Sequence, residues 1–268
     1  MNILLEAFNN RGTGDEYYTR YGDIENELSH YNFSGMIVYC NCDNPSSSNF
    51  VVYFKKNFKS LGLKCLLATF NDSNPTLYRY DGVQETYKPI TSGRFQDNTN
   101  IIKICDIVVT NPPFSNGMPS ELIKMIIGAG KKFILVGRIG LGFRKDLFPL
   151  LISGQLNCGY NAIKRFNTPD NSTKEITTYW WTNIPVEKPY LPLRVSFDER
   201  KYQKYDNYDA INCDCLANIP KDYDGAIGVP ITIIRYFNPN QFNIHGVLNN
   251  PFINGKGINT RVIISQKN

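Results

Sequence analysis

Residues 106–114 read Asp-Ile-Val-Val-Thr-Asn-Pro-Pro-Phe, an apolar run that leads directly into a rigid polar turn. β-Branched residues bounded by turn-forming residues predict a short buried strand. The two prolines fix the backbone after this strand and leave Asn111 at its carboxyl end. An Asn-Pro turn is common in itself, but its position after a buried strand favours a functional site.

Around this segment, short apolar runs alternate with amphipathic helical patterns. Strands are predicted at 36–40, 64–69 and 133–136, with a hairpin over 78–87. Helices are predicted at 23–30, 47–61, 119–127 and 144–152. This alternation predicts an α/β fold with a mostly parallel sheet and helices on both faces. Ligands of such sheets bind at the carboxyl ends of the strands, where the strand order reverses.

Composition excludes several classes of protein. The chain has 268 residues and 42% hydrophobic content, enough for a sizeable core. Its apolar runs are too short to span a membrane and its first residues lack a secretory signal, so we predict a cytoplasmic protein without membrane contact. Seven cysteines and two histidines without matched spacing predict neither a disulfide scaffold nor a metal site. The net charge of +5 is compatible with a polyanionic partner.

The Asn111-Pro-Pro-Phe114 turn carries the groups needed to methylate a planar amine. The lone pair of such a nitrogen is delocalised, and two acceptors aimed at its N–H bonds favour a tetrahedral nitrogen that attacks a methyl group. The Asn111 side-chain oxygen and the Pro112 carbonyl supply these acceptors, Pro113 stiffens the turn, and Phe114 offers a stacking face. Transfer then depends on alignment and electrostatics. The same turn suits other planar amides and amines, so the motif alone leaves the substrate open.

The turn after the first predicted strand is the expected cofactor site, although no Gly-x-Gly-x-x-Gly motif is present. Compact residues at Cys40, Asn41 and Cys42 leave room for a ligand, and Asp43 can meet a charged methionine group. The glycine cluster at 137–142 has the wrong order for a dinucleotide site, and it is predicted to be a strand-to-helix loop.

Basic residues near the predicted ligand face are candidates for contacts with nucleic-acid phosphates. They are Arg138, Arg144, Lys145, Lys164 and Arg165. From about residue 156, strand-like runs at 175–181 and 231–235 alternate with polar loops, and 238–268 is loop-rich. We therefore predict a cofactor-binding and catalytic core at 1–155. A region at 156–268 completes the sheet and provides a loop-rich target-recognition part, within one compact unit.

Taken together, these residues resemble the EcoRI-type family of adenine-specific DNA methyltransferases over most of the chain. The main shared blocks, in order, are Asp15-Glu-Tyr-Tyr-Thr19, Cys40-Asn-Cys-Asp-Asn-Pro45, Asp106-Ile-Val-Val-Thr-Asn-Pro-Pro-Phe-Ser115, Trp181-Thr-Asn183, Tyr205-Asp-Asn-Tyr-Asp-Ala-Ile-Asn212, Gly228-Val-Pro-Ile-Thr232 and Asn238-Pro-Asn-Gln-Phe242. Such an ordered string of blocks is far more specific than any single motif.

The resemblance implies a Rossmann-like sheet, S-adenosylmethionine as methyl donor, and N6 of an adenine in double-stranded DNA as the target. It implies that Tyr17, Tyr18 and Thr19 help to enclose the cofactor, and that residues 40–43 meet its methionine end. Asn111 would contact both the cofactor and the target adenine. A monomer is expected, because one methyl group per strand requires no symmetric dimer.

One segment departs from the family pattern. Thr91-Ser-Gly-Arg-Phe95 stands where members usually carry a Gly-Asn-Gly-Asp-Phe-like segment, so Arg94 replaces the acid expected at the cofactor's adenine. Asp97, or an acid near Asp72, is the candidate substitute. Two alternatives therefore stay open: a methyltransferase of the same fold that acts on RNA or on a protein glutamine amide, and a DNA-binding homologue that has lost activity.

Overall fold

The computed structural model describes residues 17–114, 117–168, 170 and 172–267. Asp15, Glu16 and Ser115 of the blocks quoted above lie outside these residues. The chain divides into two compact units, one that ends at Pro185 and one that begins at Val186. Among the described residues, no helix combines the length and the apolar character needed to cross a membrane.

The described part of the first unit contains a nine-stranded mixed sheet. Its strands are β1 (Tyr18–Thr19), β2 (Ile37–Cys40), β3 (Cys65–Thr69), β4 (Thr76–Tyr80), β5 (Glu85–Pro89), β6 (Ile107–Thr110), β7 (Lys132–Gly137), β8 (Asn157–Asn167) and β9 (Thr173–Thr182). Their order is β1-β8-β9-β7-β6-β2-β3-β4-β5. The central strands β7, β6, β2 and β3 are parallel, whereas the strands outside them pair antiparallel. The predicted α/β class is confirmed, and the sheet is more mixed than predicted.

Helices cover both faces of this sheet. They are α1 (Tyr21–Leu28), α2 (Asn49–Lys56), α3 (Thr99–Ile104), α4 (Met118–Gly128) and α5 (Phe148–Ile152). Helices α1 and α2 share a core cluster with Val38 and Val109. Helices α3 and α4 contact β2 and β7, and the alternate strand residues Tyr39, Val108 and Leu135 are also fully buried.

Two helices are shorter than predicted. Helix α2 begins where the Ser48 side chain accepts a hydrogen bond from the Phe50 N–H, 3.1 Å away, and it ends at Lys56 instead of continuing to 61. Helix α5 begins at Phe148 instead of 144, with Pro149 in its first turn. The predicted loop over the glycine cluster contains a short 3-10 helix, Ile139–Phe143.

A buried carboxylate attaches β8 to helix α1. Glu27 of α1 is fully buried, and it accepts hydrogen bonds from the backbone N–H groups of Tyr160 at 3.0 Å and Asn161 at 2.8 Å. These amides lie in β8 where its pairing with β9 shifts register between Cys158 and Ala162. The carboxylate therefore satisfies donors that the irregular strand would otherwise leave unpaired.

The strand order reverses at β2. From β2 the chain builds β3, β4 and β5 on one side, and it then returns to place β6 and β7 on the other. The carboxyl ends of β2 and β6 are thus neighbours from which the following loops diverge. This is the position at which open α/β sheets bind ligands, and here it brings Asn41 and Asn111 to the same edge.

The second unit has a small sheet of its own. Its strands are β10 (Ile211–Asn212), β11 (Ile227–Pro230), β12 (Phe242–Leu248), β13 (Phe252–Ile253), β14 (Lys256–Gly257) and β15 (Arg261–Gln266). Four of them form a sheet in the order β10-β11-β15-β12, and β13 pairs with β14. The segment 238–268 is therefore richer in strands than predicted.

The strand predicted at 231–235 is wrong, because Ile231–Arg235 forms a 3-10 helix. The ladder of β11 ends at Pro230, which has no N–H to continue it. The adjacent residues Ile233 and Ile234 are both buried, a pattern that a helical turn satisfies and a strand with alternating faces does not. The compact units meet between Pro185 and Val186, and β8 and β9 pair antiparallel with the sheet of the first unit. The functional division at 155/156 stays a prediction.

Candidate active site

The side chain of Asn111 is oriented by a hydrogen bond from one end of its amide. It follows β6, and its Nδ2 donates a 2.7 Å hydrogen bond to the backbone oxygen of Tyr17. Its Oδ1 is buried and has no hydrogen-bond partner among the described residues. Because a buried acceptor without a partner is costly in a folded protein, this oxygen marks a position where a ligand N–H would be favourable.

Three aromatic rings surround this turn. The rings of Tyr17 and Phe114 are stacked with centroids 6.4 Å apart and an interplanar angle of 23°. Phe166 of β8 contacts both, at 6.1 Å from Tyr17 and 6.3 Å from Phe114. Pro112 is buried and Pro113 is exposed. The sequence patterns did not identify Phe166, since only the pairing of β1 with β8 brings it to this edge.

Asp43 connects the ends of β2, β3 and β6 with the start of α2. Its Oδ1 accepts a hydrogen bond from Ser48 Oγ and its Oδ2 accepts one from Thr110 Oγ1, both at 2.7 Å. Its backbone N–H donates to the Thr69 oxygen at 3.2 Å. Burial raises the pKa of this carboxyl to about 6, against the lowering effect of the two hydroxyl donors. Both carboxylate oxygens therefore have protein partners, and its predicted contact with the cofactor stays a prediction.

Asn41 is a second buried amide at the edge where the strand order reverses. The residue is fully buried, and neither its Oδ1 nor its Nδ2 has a hydrogen-bond partner among the described residues. Its neighbours Cys40 and Cys42 are thiols whose pKa values burial raises well above the ordinary range, so both stay protonated. An amide that can donate and accept, next to neutral thiols, fits a polar ligand with both kinds of group.

Strand β1 closes the site from the N-terminal side. The backbone oxygen of Thr19 accepts a 2.8 Å hydrogen bond from Asn49 Nδ2, so β1 is attached to the start of α2. The Thr19 hydroxyl is buried without a hydrogen-bond partner in the described part of the chain. Tyr18 is exposed, whereas Tyr17 packs against the aromatic rings described above. The structure thus places Tyr17 and Thr19 next to the turn.

The segment that departs from the family pattern lies against the end of β3. A Cβ atom on Gly93 would stand 1.9 Å from the backbone oxygen of Phe70, so only glycine allows this approach. The Ser92 hydroxyl donates to Asp97 Oδ2 at 2.7 Å. Asp97 therefore belongs to the loop that approaches the end of β3, whereas Asp72 accepts a backbone hydrogen bond from Asn74 within its own turn.

We expect Gly93→Ala to destabilise the protein by about 1–3 kcal/mol, the usual cost of forcing an atom into a close-packed contact. The contact atom is backbone, which cannot move aside as a flexible side chain would. Thermal unfolding would measure the change. Gly128→Ala is the matched control, because a Cβ there meets no atom within 4 Å. Equal unfolding temperatures for the two variants would contradict the close approach.

Comparison with known proteins assigns the chain to a family. A family model described as adenine-specific methyltransferase EcoRI matches residues 6–93 and 86–268. The chain belongs to this family. It is therefore an adenine-specific DNA methyltransferase of the site-specific kind. No solved structure matches the chain.

Three curated relatives of this methyltransferase are named type II methyltransferases. M.EcoRI from Escherichia coli is 35% identical over 310 residues, covering 96% of this chain and 94% of the relative. M.MpnI from Mycoplasma pneumoniae is 32% identical, covering 90% and 85%. M.MgeORF184P from Mycoplasma genitalium is 30% identical, covering 90% and 86%. The similarity therefore spans almost the whole of each protein.

The candidate phosphate-binding residues of the methyltransferase fall into two groups. Arg138 follows β7, and Arg144 and Lys145 come shortly after it; all three are exposed. Arg144 is paired with Asp146 at 3.3 Å. A hydrogen bond from Ser120 and the neighbouring Lys124 lower the pKa of Asp146 to about 2, so this carboxylate is ionised beside Arg144.

The second group lies on β8. Lys164 and Arg165 are both exposed and directly precede the buried Phe166 that contacts Phe114. Arg165 pairs with Glu175 of β9 at 3.0 Å, and both side chains are more than half exposed. Within the described ranges, no three or more His, Cys, Asp or Glu side chains are grouped in a way that could hold a metal ion.

Proposed function

We propose that this methyltransferase transfers a methyl group from S-adenosylmethionine to N6 of an adenine flipped out of double-stranded DNA. The observation that carries the proposal is the state of Asn111. Its amide is oriented by the Tyr17 backbone oxygen, and its own oxygen is buried and unpaired among the described residues. An acceptor fixed in this way matches an exocyclic amine that offers two N–H groups.

The chain's own groups act on the target by alignment. The Asn111 Oδ1 and the Pro112 carbonyl would accept the two N–H bonds of the amine, which localises the nitrogen lone pair for attack. Phe114, backed by Tyr17 and Phe166, would stack against the base and replace the stacking lost on flipping. The rigid turn means that little has to be ordered when the base binds. After the transfer, the methylated nitrogen loses one N–H proton to solvent water.

The cofactor fits the residues that follow β2, next to the turn that follows β6. The unpaired amide of Asn41 can bind the carboxylate or the ammonium of its methionine end, and the nearby Asp43 carboxylate favours the ammonium. Tyr17, Tyr18 and Thr19 would cover it from β1, and Asp97 is the candidate for its adenine. When bound, S-adenosylmethionine supplies an electrophilic methyl group on a sulfonium centre. These residue roles, the Rossmann-like class of the sheet, the monomeric state and the cytoplasmic location all stay proposals.

Incubation of the purified protein with unmethylated DNA and S-adenosylmethionine, followed by nucleoside mass spectrometry, tests the proposal. We expect N6-methyladenine, and sequencing of the product would map its positions. RNA and a glutamine-containing protein extract serve as parallel substrates. Methylation of either one in place of DNA would contradict the proposal. Cofactor binding without any methylated product would indicate an inactive homologue.

A further inference from the structure

A polar pocket of about 300 Å³ lies within the second unit. It is lined by the amides of Gln203, Asn212 and Asn254, by the charged side chains of Asp214 and Lys256, and by two isoleucines. Convergent polar groups beside apolar walls are typical of a ligand site. Asn212 ends the shared block 205–212, to which the transfer chemistry assigns no role. The pocket is a candidate for that role.

The side chain of Asn212 has a fixed orientation in this pocket. Its Oδ1 accepts hydrogen bonds from the Tyr205 hydroxyl at 2.7 Å and from Arg261 Nε at 3.2 Å. An arginine Nε can only donate, and burial raises the pKa of Tyr205 to about 12, so its hydroxyl stays protonated. Both partners therefore require the oxygen of the amide on their side. The Nδ2 of Asn212 is left without a hydrogen-bond partner among the described residues, in a side chain that is 8% exposed and lines the pocket.

Arg261 places a carboxylate next to this amide. Its Nη2 donates to Asp214 Oδ1 at 2.5 Å, and its Nη1 donates to the Asn259 backbone oxygen at 3.0 Å. Each nitrogen of this buried guanidinium thus has a protein acceptor, so Arg261 positions its neighbours and has no nitrogen left for a ligand. Asp214 is largely exposed, and its Oδ2 has no partner within the described part of the chain. A hydrogen-bond donor, Asn212 Nδ2, and an acceptor, Asp214 Oδ2, therefore stand side by side on one guanidinium.

The turn between β13 and β14 adds an amide and a cation to the pocket. Asp206 holds this turn, because its Oδ1 accepts the Asn254 N–H at 3.1 Å and its Oδ2 accepts the Gly255 N–H at 2.8 Å. Asn254 has a φ of 50°, in the left-handed region that asparagine tolerates. The side chains of Asn254 and Lys256 are both exposed. The block 205–212 therefore supplies the buried amide and also supports the turn.

We propose that this pocket binds the edge of a nucleobase in the recognition sequence of the DNA. This inference rests on the proposed function. The edge of each base carries a hydrogen-bond acceptor beside a donor, and Asn212 Nδ2 beside Asp214 Oδ2 is the complementary pair. Amide and carboxylate side chains read base edges in this way, whereas a lysine such as Lys256 suits a phosphate. A site-specific enzyme needs such contacts, because alignment of the adenine N6 carries no information on the flanking base pairs.

Asn212→Asp tests the pocket with little risk to the fold. The variant keeps an oxygen for Tyr205 and Arg261, and it replaces the Nδ2 donor with an acceptor. Selection of bound duplexes from a randomised library, with S-adenosylhomocysteine present, gives the preferred sequence of each protein. We expect the variant to lose the wild-type preference at one base pair by about tenfold, the usual worth of one base contact. Its affinity for S-adenosylhomocysteine should stay near wild type.

Asn249→Asp is the matched control, since it adds the same charge at an exposed position that does not line the pocket. An unchanged sequence preference in Asn212→Asp would overturn the pocket. So would a uniform loss of affinity for all sequences, equal to that of the control, because it would show only the effect of the added charge. Methylation by the wild-type protein tests the proposed function separately. A wild type that forms N6-methyladenine, beside an Asn212→Asp variant with the wild-type preference, overturns the pocket alone.

Asn254→Gly tests the turn without a change of charge. Glycine adopts the left-handed conformation of this position freely, so the variant removes only the amide. We expect a weaker preference at the base pair affected by Asn212→Asp, or at its neighbour. Asn250→Gly is the control, because Asn250 has a similar φ of 55° and does not line the pocket. Equal preferences in Asn254→Gly and the wild type would remove Asn254 from the recognition surface.

A free nucleotide offers the same base edge as DNA, and calorimetry distinguishes the two sources. The probes are the four deoxynucleoside monophosphates, each titrated into the wild type and into Asn212→Asp. We expect no strong binding, because a single base contact contributes little without the contacts of the duplex. Strong binding of one monophosphate that is lost in Asn212→Asp, beside an unchanged DNA preference, would identify a free nucleotide as the occupant and overturn the proposal.

Discussion

Asn111→Ala abolishes measurable formation of N6-methyladenine while cofactor binding stays almost intact. The expected loss is at least about 10²- to 10³-fold in the maximal rate, the usual cost of removing one preorganised group at a reacting centre. The alanine removes both the unpaired Oδ1 and the Nδ2 that donates to the Tyr17 oxygen. Single-turnover methylation of a saturating duplex measures the rate, and calorimetry with S-adenosylhomocysteine measures cofactor affinity.

Two further variants separate the role of the Asn111 amide from that of the backbone of the turn. Asn111→Asp keeps an acceptor but loses the donor to Tyr17, so we expect a loss smaller than that of the alanine variant. Pro113→Ala keeps the Asn111 amide and makes the exposed part of the same turn less rigid, so its loss should be smaller than that of Asn111→Ala. A fall in cofactor affinity together with unfolding of Asn111→Ala would contradict the role of Asn111 in the transfer step.

The second large effect is a pH dependence of the free energy of unfolding, and we expect it to arise from Asp43. Its pKa is about 6 in the folded protein against an ordinary value of 3.8. Because its pKa is raised in the folded state, the protonated carboxyl stabilises the folded protein below pH 3.8. This stabilisation is lost as the pH rises through about 6. Relative to Asp43→Asn, the free energy of unfolding of the wild type should therefore fall by about 2 kcal/mol between pH 4 and 7. Denaturant unfolding of both proteins across this range measures the difference.

Cofactor binding gives a separate readout for the same residue. An ionised Asp43 would attract the ammonium group of the cofactor, so the affinity of the wild type should rise as the pH rises through about 6. Asp43→Asn should bind more weakly at pH 7 and lose this dependence. Thr110→Val removes one of the two donors that stabilise the carboxylate, so it should shift the wild-type midpoint to higher pH. Equal cofactor affinity in wild type and Asp43→Asn at every pH would remove Asp43 from the cofactor site.

Local sequence patterns predicted the elements that support the site. The run of β-branched residues at 107–110 forms a buried strand, and the Asp81-Gly82 turn joins β4 and β5 as expected. The structure also places Asn111 at the carboxyl end of β6, next to the end of β2. These features depend on residues within a few positions of each other, and turn chemistry and alternation of buried faces are visible at that distance.

The local pattern was misleading at 231–235. β-Branched residues there favoured a strand, but the segment forms a 3-10 helix after Pro230 ends the ladder of β11. Strand propensity describes how a residue fits a half-buried pleated surface, so it has little force where no neighbouring strand is available for pairing. The sheet itself has more antiparallel strands than the alternation of strands and helices along the chain suggested. Pairing at the edges of the sheet is set by segments that are distant in sequence.

The sequence by itself determined the family, the Asn-Pro-Pro-Phe turn and the strand that precedes it, because these are carried by contiguous residues. Only the tertiary structure decided which partners those residues meet. Asn111 is oriented by Tyr17, 94 positions away, and Asp43 meets Thr110 across 67 positions. It likewise decided that Phe166 backs the turn, since this follows from strand order and register. Register is a global property of the sheet, and no local spacing encodes it.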